Sequence, residues 1–240
     1  MIKGIKKLYS SLYSFHTVSN NSQWQSVKID KKNPMVEITN VYLNLGSTND
    51  IKTDTSPDLP WSENHFMERV NGKPINPGKE FKNWPYYADQ NKNDEMFRKD
   101  GIFSHNYMER YWCSDLKGRR YNYGDLNDVI NRIKENPNTR QAYLSVWHPE
   151  DQSNNDVRVP CTLGYWFYKE KDRLNVTYHI RSCDAVRHLR NDIYMTYRLL
   201  QYVCDKTGEQ PGELMMWIGS LHCFKSDLYF VKKYVRDTNN

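Results

Sequence analysis

A thiol and a guanidinium stand at the two ends of one predicted hairpin. Cys161 opens the apolar run VPCTLGYWFY, and 20 positions later Arg181 stands in IRSCDAVRHLRNDIYMTY. Leu174, Val176, Tyr178 and Ile180 alternate with polar neighbours, which predicts a half-buried strand from Asp172 to Ile180. The KEKDR segment before it reads as a turn. Pairing about a centre near Lys171 sets Cys161 opposite Arg181, with the Ser182 hydroxyl alongside. A thiolate is a nucleophile, and an adjacent cation favours it. An Arg-Ser pair holds a phosphate through a planar fork and a hydroxyl. The combination points to covalent chemistry on a phosphorylated substrate; a lone Cys in such a run otherwise reads as a small buried strand residue.

Further candidates each carry two readings. Asp192 precedes a predicted helix, either as its N-cap or as a carboxylate that reads a ligand's amino group. His222, in GSLHCF, is a core histidine or a ligand donor. Glu68 is a solvated helix residue or a buried general base, with Glu63 as its rival. Arg140 enters a strand from the turn NPNTR, where most arginines face solvent. GxGxxG, P-loop and HExxH patterns are missing, which argues against Rossmann, nucleoside-triphosphate and zincin chemistry.

The elements that must position these residues form one α+β domain around an antiparallel or mixed sheet. Strands are predicted at Met35 to Leu45, Gln141 to Trp147 and Met215 to Gly219, besides the hairpin. Helices are predicted at Trp61 to Val70 with Ser62 as cap, Asp125 to Glu135, Asp192 to Cys204 and Ser226 to Val235. A possible short helix lies within residues 1–34, and residues 72–124 read as loops and short helices over the core. With 240 residues and no composition break, the whole chain (1–240) is expected to be a single domain, most securely over 61–235.

Five cysteines without a CxxC pair argue against a disulfide framework and a structural zinc site, and free thiols fit a reducing compartment such as the cytoplasm. No metal is expected. The net charge of +5 is spread without a run of five Lys or Arg, so nucleic acid is not indicated as a partner. The opening MIKGIKKLYSSLYSF has no sustained apolar stretch and reads as neither signal peptide nor membrane span.

Taken in order and spacing, these residues resemble the thymidylate synthase superfamily. Pro160-Cys161, Arg181-Ser182-Cys183-Asp184, Asp192 and Gly219-Ser220-Leu221-His222 match its active-site stretches. Pro137-Asn138-Thr139-Arg140 is similar to its Pro-Asp-Ser-Arg turn, and Asn106-Tyr107 with Tyr111-Trp112 to its substrate wall. Within the superfamily, Arg190-Asn191-Asp192, Cys161-Thr162 and the Gly-Ser-Leu-His phrase look most like bacteriophage-type deoxycytidylate (dCMP) hydroxymethylases. Synthases acting on dUMP usually have Asn where Asp192 stands and His where Thr162 stands.

The resemblance implies that Cys161 adds to C6 of the pyrimidine and that 5,10-methylenetetrahydrofolate supplies the one-carbon unit, with water completing a 5-hydroxymethyl product. It implies that Asp192 reads the base and that Glu68 organises water and proton transfer. Arg181, Ser182 and a partner subunit's copy of Arg140 would hold the 5′-phosphate, His222 the sugar, Asp184 the folate side, and Tyr107 a wall of the pocket. A homodimer is implied, in a host's cytoplasm if the chain is phage-encoded. The alternatives are a dUMP hydroxymethylase, a thymidylate synthase, and a non-catalytic homologue that binds nucleotide or RNA. The chain departs from the family at Gln141, which removes a second arginine, and at Phe224, which removes a hydroxyl near the sugar. The synthases' apolar C-terminal closing segment is also replaced by Arg236-Asp237-Thr238-Asn239-Asn240.

Overall fold

The computed structural model describes residues 1–21, 23–24, 27–47, 51–87, 98–113, 124–153 and 158–237. Their strands are β1 (Ile2–Lys3), β2 (Thr17–Val18), β3 (Met35–Gly46), β4 (Tyr143–Ser145), β5 (Thr162–Glu170), β6 (Arg173–Asp184) and β7 (Gln210–Phe224). The helices are α1 (Ile5–Phe15), α2 (Ile51–Thr55), α3 (Trp61–Arg69), α4 (Tyr107–Tyr111), α5 (Leu126–Glu135), α6 (Leu189–Thr207) and α7 (Leu228–Asp237). Two further two-residue ribbons, Gln23–Trp24 with Val27–Lys28 and Arg98–Lys99 with Ile102–Phe103, lie outside the main sheet.

The main sheet has seven strands in the order β1-β3-β7-β6-β5-β4, with β2 also paired to β3. It is mixed: β6 and β7 run parallel, whereas β5 and β6, β7 and β3, and β4 and β5 run antiparallel. This is the expected α+β class. The parallel β6–β7 pair needs a crossover, and α6 supplies it.

Alternation within each strand separates the two faces of the sheet. Val41, Leu43, Phe167, Val176, Tyr178, Ile180, Met216 and Ile218 point into the core against α1 and α6. On the opposite face the register aligns Tyr42, Trp217 and His179 in one row and Met215, Thr177, Trp166 and Tyr143 in the next. That face stays partly open, with Tyr42 59% and Tyr143 41% exposed.

Several expected boundaries are corrected. The long helix starts at Leu189 with His188 as its cap, so Asp192 lies in its first turn and is not the N-cap. Pro60 rather than Ser62 caps α3; the Ser62 hydroxyl instead donates to Asn191 Oδ1 at 2.7 Å. The last strand runs from Gln210 to Phe224, far beyond Met215 to Gly219. β4 is shorter than Gln141 to Trp147, and α7 starts at Leu228 after a 3-10 turn at Lys225–Asp227. Helix α5 matches its expectation, closed by a capping box between Asp125 and Asp128. No helix among the described residues is long and apolar enough to cross a membrane.

Candidate active site

Cys161 immediately precedes β5, at the open end of the β5–β6 hairpin, and it is half-buried while the chain's other four cysteines are buried. The register pairs Arg173 with Glu170 and Ile180 with Thr162, and the Arg181 N–H donates to the Cys161 carbonyl at 2.9 Å. The guanidinium of Arg181 is fixed along the same segment. Its Nε donates to Pro160 O at 2.9 Å and its Nη2 to Val159 O at 3.2 Å, with Nη2 3.9 Å from the Cys161 sulfur. The Trp147 ring lies 5.6 Å from the guanidinium carbon. Gly219 lets β7 close on this point, since a Cβ there would stand 2.6 Å from Arg181 O. The hairpin thus delivers thiol and guanidinium side by side, as the alternation and turn imply.

Behind the thiol, a chain of hydroxyls ties three elements together. Tyr107 of α4 meets Thr162 at 3.0 Å, and Thr162 meets Tyr178 at 2.7 Å. Burial pushes both tyrosines upward, so they are neutral at ordinary pH. Asp192 joins the same pocket from α6: the Cys183 thiol approaches its Oδ2 at 3.8 Å. Burial raises Asp192 to about 6, against the pull of Arg69 and of the Cys183 contact.

Ser182 and His222 line a cavity of about 480 Å³ that continues from Arg181, bounded by Thr17 to Asn21, Glu37 and Ser220. The Ser220 hydroxyl donates to the Glu37 carboxylate across β7 and β3. Burial lowers the pKa of His222, so its imidazole is held neutral. Asp184 closes the turn after β6, its Oδ1 accepting from the N–H groups of Val186 and Arg187 at 2.9 Å each. Its Oδ2 is buried without a hydrogen bond, 3.5 Å from Arg187 Nη1.

Glu68 is held by the segment that follows its own helix. Its carboxylate accepts from the backbone N–H of Lys79 and, at 3.4 Å, of Glu80, with His65 Nδ1 at 3.5 Å. Burial opposes its ionisation, but the His65 and Lys79 contacts outweigh burial and leave its pKa lowered. Glu63 is committed elsewhere: Tyr194 and both arms of Arg198 bind it at 2.7–2.9 Å, which removes it as a free base. Arg140 is exposed, and its carbonyl accepts from Trp166 Nε1 on the open sheet face. Gln141 is engaged by Arg132 Nη1 at 2.8 Å. The Phe224 ring packs 5.2 Å from the Arg187 guanidinium.

Two groups escaped the sequence reading. Arg69, 6% exposed, sits with its guanidinium 4.1 Å from the centre of the Tyr107 ring. Its signal was the spacing Ser62, Phe66, Arg69, which puts it on the inward stripe of α3. The second is an aromatic wall beside Asp184. Trp84 stacks on His188 at 4.6 Å and leans on Trp61 and Tyr86, and its indole N–H is buried without a partner. No spacing rule joins Trp61, Trp84 and His188, because they come from separate segments.

Residues 67–240 match the family model described as thymidylate synthase. Among curated proteins, the thymidylate synthase of Mycoplasma genitalium is 28% identical over 160 residues, covering 65% of this chain and 55% of that protein. The thymidylate synthase of Listeria monocytogenes serotype 4a is 26% identical over 159 residues, covering 64% of this chain and 50% of that protein. The chain therefore spans about half the length of these relatives.

Proposed function

The chain belongs to the thymidylate synthase family, and we propose that it transfers a one-carbon unit to C5 of a pyrimidine nucleotide, with dCMP as substrate and 5-hydroxymethyl-dCMP as product. The observation that carries the cytosine assignment is Asp192, enclosed in the same pocket as Tyr107 and Cys183 and ionised above about pH 6. A carboxylate accepts from the exocyclic amine of cytosine; uracil presents an oxygen acceptor there, and the mismatch costs about 1–3 kcal/mol.

In this reading the Cys161 thiolate adds to C6, and the electron pair released into the ring makes C5 nucleophilic. Arg181, 3.9 Å from the sulfur through Nη2, faces the 5′-phosphate with Ser182. His222, neutral, reads the sugar. Bound 5,10-methylenetetrahydrofolate would supply the carbon as an electrophile. The site fits such a ligand: the Trp61–Trp84–Tyr86 wall gives a heteroaromatic ring its stacking face, and the buried Trp84 N–H, which has no hydrogen-bond partner, gives a donor. Glu68, held ionised next to Arg69 in α3, suits a base that organises water and accepts the C5 proton through it.

A homodimer is part of this reading: the partly open aromatic sheet face, where the Arg140 carbonyl accepts from Trp166, is a surface that a second copy would cover. The chain would then act as a single domain over 1–240 in the cytoplasm, supported by a core cluster that reaches from Ile5 to Val231. The second reading, methylation of dUMP, draws on the synthase relatives. Mass analysis of the nucleotide product from dCMP and methylenetetrahydrofolate separates the two: the proposal expects a 5-hydroxymethyl product without dihydrofolate. A 5-methyl product with stoichiometric dihydrofolate would overturn it.

A further inference from the structure

Among the residues that line the cavity beside Arg181, Glu37 carries the one carboxylate. Glu37 belongs to β3 and is the register partner of His222 on β7. In the neighbouring rows Thr39 pairs with Ser220 and Met35 with Phe224. Directly paired side chains of an antiparallel ladder share a face, with Cβ atoms about 4.5–5.5 Å apart. Glu37 and His222 therefore enter the cavity side by side. Ser182, paired with Ser220, lies on β6, two strands from Glu37 and about 10 Å across the sheet. The cavity thus has a cationic end at Arg181 and Ser182 and an anionic end at Glu37, with room between them for a sugar.

The Glu37 side chain is half-buried, and its carboxylate is half satisfied. Ser220 donates to Oε2. Thr17 of β2 donates to the Glu37 backbone carbonyl, at 3.4 Å, and not to the side chain. Among the described residues no donor meets Oε1, and no Lys or Arg forms an ion pair with the carboxylate. A carboxylate repels a phosphate and calls for a hydroxyl or an amine. His222 beside it, neutral, offers one donor and one acceptor. Phe224 in the next row brings no hydroxyl.

We propose that Glu37 is a substrate-reading residue: its carboxylate accepts a hydrogen bond from the sugar 3′-hydroxyl while Arg181 and Ser182 hold the 5′-phosphate. This role rests on the nucleotide reading above and names a further contact of the same site. A 2′-deoxynucleotide 5′-phosphate has one free sugar hydroxyl, at 3′, and it is the one sugar group that donates. A nucleotide without that proton leaves Oε1 facing an electronegative atom or nothing, so Glu37 selects for a free 3′-hydroxyl.

The test is isothermal titration calorimetry of the full chain with dCMP and with 3′-fluoro-2′,3′-dideoxycytidine 5′-monophosphate. The analogue lacks the 3′ donor with little change in size. The wild type should bind dCMP roughly tenfold or more tighter than the analogue, because hydrogen bonds to a charged acceptor are the strong ones. In Glu37→Ala that preference should shrink by roughly tenfold, through weaker binding of dCMP and not of the analogue. Glu37→Gln keeps the shape without the charge and should fall between the two; it decides the matter if the Ala variant does not fold. Equal affinities in the wild type would overturn the assignment without any variant. A preference unchanged in the variants, or equal weakening of both nucleotides, would overturn it too, since Glu37 would then serve only to hold Ser220. Binding of neither nucleotide by the wild type would instead remove the nucleotide reading on which the role stands.

Discussion

Replacing Asp192 with Asn tests the pocket through stability before any substrate is added. Burial raises the Asp192 carboxyl from 3.8 to about 6. That is about two units, or about 3 kcal/mol of destabilisation at neutral pH, since each unit is about 1.4 kcal/mol. Asp192 keeps part of its surface accessible, so this is an upper figure. The folded-state pKa lies above the unfolded one, so the native state binds protons more tightly. Stability is therefore lost as pH rises from about 3.8 to about 6, and the full cost is present above that window. Asn has the same shape and does not titrate. Thermal or urea unfolding at pH 7.5 should find Asp192→Asn more stable by up to about 3 kcal/mol, roughly 6–12 °C for a chain of this size. The gap should close below about pH 4. A gap independent of pH, or a variant less stable at pH 7.5, would refute the reasoning. The same variant should lose its preference for dCMP over dUMP, because an amide serves as donor as readily as acceptor.

Two further substitutions probe the rest of the site. A Cβ at Gly78 would collide with the Glu68 carboxylate, so Gly78→Ala should displace Glu68 from the Lys79 and Glu80 N–H groups. We expect kcat to fall on the order of 10–100-fold with nucleotide KM little changed; an unchanged kcat would remove Glu68 from the mechanism. Cys161→Ala and Arg140→Gln should each be inactive alone. When the two are mixed under subunit exchange, about a quarter of the wild-type activity should return, because each mixed dimer holds one intact site. Absence of recovery would place Arg140 outside the partner's phosphate site.

The parts of the fold legible in the sequence are those whose signal is local. The β5–β6 hairpin follows from alternation and one turn, and α5 from an aspartate cap and a stripe of Leu126, Val129, Ile130 and Ile133. β7 starts at Gln210, well before Met215, although Pro211 and Gly212 are residue types that commonly break strands. The structure absorbs them at a register shift between Leu174 and Val176, where Asn175 Oδ1 accepts from Glu213 N at 2.6 Å and fills the space a Cβ at Gly212 would need. The start of α6 was misplaced because His188 offers no capping side chain, whereas Asp192 resembles one. Cys161, Arg181 and Ser182 were found together because one hairpin carries them. Arg69 and the Trp84 wall were missed because their partners come from segments far apart in sequence. A buried arginine also looks the same in sequence as an exposed one.

The central claim, a thiol that activates a cytosine nucleotide, is tested most directly by tritium release from C5-labelled dCMP with methylenetetrahydrofolate. CMP, dUMP and the Cys161→Ala variant serve as comparisons. The account predicts release that is fastest with dCMP and abolished by Cys161→Ala. Release from dUMP alone, or release from dCMP that survives loss of Cys161, would contradict it.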